Sequence, residues 1–391
     1  MDTIRLKFPY DLPAGFYFKE TITQKLLNLP YANGKRYVWT NNSWRKQRQV
    51  QKIYTPKYWI EQDFLDDQKT YFYFEASLPK LLNGENMTAL QECQFNEVVE
   101  ATAKFFKEIE VRIFTHQIEN AIPTLLAIGR NINLSQLCPC NLAIKALKSF
   151  DYKPNFKYRI VDFSDQRHGG KELIFSINAE TMKVYDKTKE LMNNARTKEE
   201  IALTEDLKKN PKEIIRIELT LKNYRKIKAR LKPYLGNQAP TFKNIFKQEI
   251  WEGLLKEEME AIFNNPLQKI LFLSQESQPF IDSFLNEHYK HIQTKDTIKG
   301  ILTSLQTHGF ADTRQRYLKN YDSRQTWYNY LKRLRELQNN FDCTALKNLT
   351  NVKIHGHILE QSGIGTASQE ELALIFQNRV SKNIDNELCN T

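Results

Sequence analysis

The sequence predicts an α+β fold: strands and helices mixed around one sheet over 70–222, a β-rich stretch before it and a helix-rich remainder after it. Three observations predict it. Short aromatic and β-branched runs bounded by turn residues recur from the first residues to about 222. Apolar residues at helical spacing and charged helical stretches lie between those runs. Beyond 223 the strand-like runs give way to helical patterning, so local segregation points to α+β.

In order along the chain, TIRLKFPY and Tyr37–Trp39 read as strands, with Asn33-Gly34 as a turn between them. SWRKQRQVQKIYTPKYWI (43–60) interleaves cations with aromatics. One reading is phosphate contact by Arg45, Lys46 and Arg48 with rings stacking on bases; the other is a twisted, solvated strand. TYFYFEAS is a strand, Pro79 opens a short helix and Gly84 stops it. Leu90, Phe95, Val98, Val99, Thr102, Phe105 and Phe106 predict a helix over 88–108. VRIF and PTLLAIGRNI read as strands, and 142–149 as a short helix. YRIVDFS, KELIFSIN and MKVY are three more strands, a charged helix fills 187–209, and IIRIELTL (214–221) is a strand.

Pro233 and Pro240 bracket a loop near the start of the helical part. Within 296–338 three helices are expected, the last capped by Ser323. Its apolar stripe is Trp327, Tyr330, Leu331, Leu334 and Leu337, while Arg324, Lys332 and Arg333 lie mostly off it. This fits a helix-turn-helix that binds DNA and equally a solvated surface helix. The expected division is 1–69 as a β-rich N-terminal region with possible DNA contact, 70–222 as the central α+β domain, 223–340 as a helical domain, and 341–391 as a tail. No internal repeat or low-complexity tract is visible.

Lys and Arg number 57 against 46 Asp and Glu, a net charge of +11. Such an excess suits a polyanion partner, nucleic acid above all, or simply solubility. Five scattered cysteines form no CxxC pair, which argues against a disulfide framework or a zinc finger. The expected location is a reducing cytoplasm. GxSxG, P-loop, GxGxxG and HExxH motifs are absent from the sequence.

Five places carry residues suited to chemistry. In MKVYDKTKEL, Tyr185 ends an apolar run and is followed by Lys187 and Lys189. In RIELTL, Glu218 shares a strand face with Arg216 and Thr220, either as a solvent-facing acid or as a metal ligand on a sheet floor. His168 precedes two glycines, and Glu75 ends the strand YFYFEAS. In NVKIHGHIL, His355 and His357 would face one side of a strand as a metal pair.

FEASLPKLLNGEN, MKVYDKTKEL, IIRIELTLKN and SRQTWYNYLKRLREL, in that order, resemble the gene II/X family of rolling-circle replication initiators of filamentous phages and related plasmids. The resemblance spans about 70–340. It implies a site-specific nick in one strand of a double-stranded origin, a 5′-phosphotyrosine intermediate, and later rejoining of the displaced single strand. It implies Tyr185 as the nucleophile, Glu218 as the strand glutamate, and a divalent metal. The implied fold of 70–222 is the palm of HUH-type nicking endonucleases, a five-stranded, mainly antiparallel sheet with flanking helices. The strand Pro123–Ile128 lacks the polar residue common in relatives, and the palm region lacks a His-hydrophobic-His pair.

A tyrosine hydroxyl, with a pKa of about 10, needs help to attack at neutral pH. Mg²⁺ or Mn²⁺ held by Glu218, with His168 and Glu75 as further ligands, would supply it. Lys189, one turn after Tyr185, or Lys187 would stabilise charge on the scissile phosphate. Origin DNA is the expected partner, with Arg45, Lys46, Arg48, Arg216, Arg324, Lys332 and Arg333 touching it, and a host helicase and polymerase could follow. Two other readings are a DNA-binding protein of repressor or partition type without chemistry, and a relaxase-like nickase with its metal on His355 and His357.

Overall fold

A computed structural model describes residues 1–9, 35–39, 47–63, 70–109, 111–135, 138–148, 157–162, 166–263, 278–320 and 324–339. The chain divides into two compact units, Met1–Asn131 with Val161–Leu255, and Ile132–Ile160 with Lys256–Thr391. These limits fall elsewhere than 69/70 and 222/223.

One sheet carries most of the first unit, while residues 132–133 and 157–160 of its strands fall in the second. Its strands are β1 (Thr3–Pro9), β2 (Lys35–Trp39), β3 (Lys57–Asp63), β4 (Thr70–Ser77), β5 (Ile122–Asn133), β6 (Lys157–Asp162), β7 (Lys171–Ile177), β8 (Glu180–Asp186) and β9 (Ile214–Leu221). Their order is β2-β3-β4-β1-β5-β9-β8-β7-β6. β1 runs antiparallel to β4 and β5, β3 to β2 and β4, and β8 to β7 and β9. The α+β class and the antiparallel character follow the expectation. The sheet has nine described strands rather than five: 70–222 supplies six, and β1, β2 and β3 join them.

Two of the connections between strands are helical. β4 leads through α1 (Leu78–Asn83) and α2 (Phe95–Glu108) towards β5, with the short α3 (Thr115–Glu119) before that strand. β8 leads through α5 (Lys187–Asn194) and α6 (Lys198–Lys209) to β9. A fourth helix, α4 (Cys140–Lys148), lies between β5 and β6. Alternation puts Ile4, Leu6 and Phe8 of β1 with Phe72 and Phe74 of β4 on one face, all buried. Phe105 and Phe106 of α2 meet that face; the Phe74 and Phe106 rings stand edge-on with centroids 5.0 Å apart. Gly84 ends α1 with φ 78°, a left-handed conformation that favours glycine. The Gly84 carbonyl accepts the Thr197 hydroxyl at 2.6 Å, and Lys80 pairs with buried Glu200, knitting α1 to α6.

Four expected elements differ. α2 begins at Phe95, after a 3₁₀ turn over Glu92–Gln94. VRIF is not a strand: the Val111 N–H closes on the Phe106 carbonyl, and Val111 and Ile113 bury as an extended link into α3. The 187–209 helix breaks at 195–197, where Thr197 and Glu200 form a capping box for α6. Pro233 lies inside α7 (Tyr224–Leu235), so the loop starts only at Gly236. The short α8 (Phe242–Ile245) and then α9 (Gln248–Phe263) follow.

In the second unit, α10 (Gln278–His288), α11 (Ile292–His308), α12 (Phe310–Asn320) and α13 (Arg324–Asn339) are described. Ile281, Phe284 and Leu285 of α10 share a core with Ile298, Ile301, Leu302 and Leu305 of α11 and with Trp327, Leu331, Leu334 and Leu337 of α13. The three helices expected over 296–338, and the apolar stripe of the last, are present. Asn33, Gly34, Ser323, His355 and His357 lie outside the described residues. No described helix is long and apolar enough to cross a membrane.

Candidate active site on strands β8 and β9

Tyr185 stands opposite Glu172 of β7 on one side and Arg216 of β9 on the other; two residues back, Lys183 stands opposite Glu218. Residues two apart in a strand share a face, so hydroxyl, guanidinium, ammonium and carboxylate are gathered on one side of the sheet. Arg216 is only 3% exposed. Its guanidinium meets Asp2 at 2.7 Å and donates to Asn131 Oδ1 at 2.8 Å and the Asn86 carbonyl at 3.2 Å. Its Nε lies 3.8 Å from Glu218 Oε2 and makes no hydrogen bond among the described residues. Gly129 of β5 leaves room for this side chain: a Cβ there would come within 2.6 Å of Arg216 Nη2.

The electrostatics follow from burial. Burial pushes the Tyr185 hydroxyl well above its usual range, and Glu218, Glu190 and Asp2 add to that, while Arg216 pulls the other way. Burial also raises Glu218, with Asp2 adding and Arg216 and Lys183 opposing; the Thr220 hydroxyl donates to it at 3.3 Å. Asp2 is held below the usual carboxylate range, because Arg216's charge and hydrogen bond outweigh the cost of burying it. The polar face is therefore one coupled set: Asp2 neutralises Arg216, and Glu218 is more basic than a surface glutamate.

Asp186, next to Tyr185, caps α5 by accepting the Lys189 N–H at 2.9 Å. Burial holds its carboxyl up at about 6, with Glu213 adding to the rise. Carboxylate oxygens of Asp186 and Glu213 lie within 4.8 Å of each other.

The other expected site residues sort as follows. Lys187 does not reach a phosphate: its side chain is 2% exposed and its ammonium meets Glu190 at 2.7 Å. Burial lowers its pKa, against Glu190's pull. Lys189 is half-buried on α5. Glu75 is held by Arg5 and Lys57. His168 is half-buried in the loop before β7, its backbone N–H on Asn193 Oδ1 at 3.1 Å. Among the described residues, Glu218, His168 and Glu75 do not converge as a ligand set.

Of the expected DNA contacts, Arg216 is buried and bound, so it presents no surface charge. Arg48 is tied to Glu108 and to the Tyr54 carbonyl. Lys332 is exposed, and the Arg333 guanidinium lies 5.5 Å over the Tyr289 ring. Arg324 opens α13, while Arg45 and Lys46 lie outside the described residues. Sequence reasoning missed Asp2, Asp186 and Lys183. Asp186 carried a signal, an acid just before a helix start; Asp2 carried none.

No family model, curated protein or solved structure matches this chain.

Proposed function

We propose that this chain nicks and rejoins one strand of origin DNA to start and end rolling-circle replication of a phage or plasmid, with Tyr185 as the nucleophile. The observation that carries the reading is the register of β8 and β9, in which Tyr185 faces Arg216 and Lys183 faces Glu218 on one side of the sheet. In this reading the central strands β4, β1, β5, β9 and β8 are the palm of an HUH-like enzyme, flanked by α1, α2, α5 and α6.

The chemistry follows from the pairings. Tyr185 is half-buried and its hydroxyl is held protonated, so attack requires a base close by. Glu218, raised by burial, takes the proton as the phenolic oxygen bonds to phosphorus. The P–O bond to the 3′ oxygen breaks and that oxygen takes a proton from water, leaving a 3′-OH and a 5′-phosphotyrosine. Arg216, held in the sheet by Asp2 and Asn131, acts by its field on the phenolate rather than by contact with DNA. The phosphotyrosine conserves the phosphodiester energy, so rejoining requires no nucleotide.

The resemblance also implies Mg²⁺ or Mn²⁺. Glu218, His168 and Glu75 do not fit one, since Glu218 stands beside two cations and Glu75 is already held by two. Asp186 and Glu213 are two acids with adjacent oxygens, but alternation turns Asp186 to the opposite face of β8 from Tyr185, so no step of the attack is routed through an ion there.

The test is incubation of the chain with origin oligonucleotides, with and without EDTA, followed by a denaturing gel. A denaturation-resistant protein–DNA band is expected from the native chain, and none from Tyr185→Phe, which still binds. Glu218→Gln is expected to slow adduct formation by about 10²-fold or more, the usual range for a lost general base. An unchanged band from Tyr185→Phe removes Tyr185 as nucleophile, and binding without any adduct favours the repressor or partition reading.

A further inference from the structure

Helix α7, YRKIKARLKPYL, carries five cations that divide into two sets. Lys226 and Arg230 turn to the sheet and pair with Glu180 of β8, which is 1% exposed. Arg225, Lys228 and Lys232 are exposed and have no ion-pair partner among the described residues. Spaced three and four apart, they stand on one face. That face borders a cavity of about 370 Å³. Leu231 and Leu235, both buried, floor it, and Asn237 and Gln238 bring amides to its far side after the chain turns at Gly236. No acidic residue borders it among the described residues.

We propose that this groove is a nucleic-acid backbone site, in which the three cations take successive phosphates and the two amides donate to phosphate oxygens. Arg225 to Lys232 spans about 10 Å of helix, the axial rise across about four successive phosphates of one strand at about 3.4 Å per step, so the three cations cover that stretch of backbone. An anionic membrane surface fits less well. The helix's apolar residues Ile227, Leu231 and Leu235 are 0%, 1% and 7% exposed, so none is available for insertion, and the charges rim a concavity. The inference rests on the proposed function only for the identity of the polyanion; the groove is separate from the buried face around Tyr185.

The experiment measures binding of a labelled duplex oligonucleotide by fluorescence anisotropy across a salt series. The triple variant Arg225→Gln, Lys228→Gln, Lys232→Gln is compared with the native chain. A second triple, Lys104→Gln, Lys107→Gln, Lys209→Gln, removes equal charge from exposed positions elsewhere. With about 0.9 counterions released per neutralised phosphate, the first triple is expected to flatten the log–log salt slope by about 2 to 3. Its affinity at low salt should fall at least tenfold, while the second triple stays within about one slope unit of native. Equal slopes from both triples overturn the proposal, as does loss of binding to phosphatidylserine vesicles in the first triple with DNA binding intact. A native chain that binds no DNA at any salt overturns the functional reading together with the groove. Native-like nicking by the first triple with an unchanged slope overturns the groove alone.

Discussion

Around Tyr185, burial and charge pull in opposite directions. Desolvation and the acids Glu218, Glu190 and Asp2 keep its proton on, and Arg216 favours its release. Asp2 acts twice, directly on the hydroxyl and by neutralising Arg216 through their 2.7 Å pair. Asp2→Asn should therefore shift the pH profile of adduct formation to lower pH. It should also lower stability by about 3–5 kcal/mol, the usual cost of breaking a buried pair, as seen in thermal melts. A less stable variant with an unmoved pH profile would leave Asp2 a structural role only. Asp186 gives a second test. Its carboxyl sits at about 6 when folded against 3.8 ordinarily. The folded state thus holds the proton more tightly, so this group's contribution is full below about pH 4 and is lost as pH rises through 6. Asp186→Asn keeps an acceptor for the Lys189 N–H and removes the titration. In chelator-treated buffer its melting temperature should fall less between pH 4 and 6 than the native chain's; an equal fall assigns the effect to another group.

Among the elements, local signals were legible and partners were not. The aromatic and β-branched runs of β4, β7, β8 and β9 and the apolar spacing of α2 announce themselves, because alternation and helical period are written in neighbouring residues. The break between α5 and α6 was also legible, as Thr197-x-x-Glu200, but the charged run across it concealed the signal. VRIF reads as a strand by composition, yet no neighbouring strand is left to pair with it once α2 closes on Val111. The contact between the two helical connections has no sequence trace: phenylalanines pack α2 on the sheet, whereas Lys80, Thr197 and Glu200 join α1 to α6. Thr197→Ala removes both the α6 cap and the bond to the Gly84 carbonyl. It should cost about 1–2 kcal/mol, measured by chemical denaturation. Thr197→Ser, which keeps both bonds, should recover most of it.

At the scale of the whole molecule, the site depends on pairings between distant parts of the sequence. Asp2 precedes the first strand and Arg216 lies in the ninth, and β1 between β4 and β5 fixes Asp2 in the same unit as Tyr185. No periodicity reports such a pairing, so Tyr185 and Glu218 were nameable from motifs while their buried partner was not. The same reasoning separates the two nickase readings. Tyr185, Arg216, Glu218, Asp186, Glu213 and the α7 groove all belong to the first unit, whereas His355 and His357 lie outside the described residues. If Asp186 and Glu213 hold the ion, removal of residues 345–391 should leave the Tyr185 adduct and its EDTA sensitivity within about threefold of native. Asp186→Asn should then raise the Mg²⁺ concentration needed for half-maximal adduct by about tenfold, the effect expected for one lost carboxylate ligand at about 1.4 kcal/mol. If the truncated chain instead loses metal-dependent nicking while Asp186→Asn leaves the Mg²⁺ requirement unchanged, the ion belongs to the tail histidines, and Asp186 is left as the N-cap of α5.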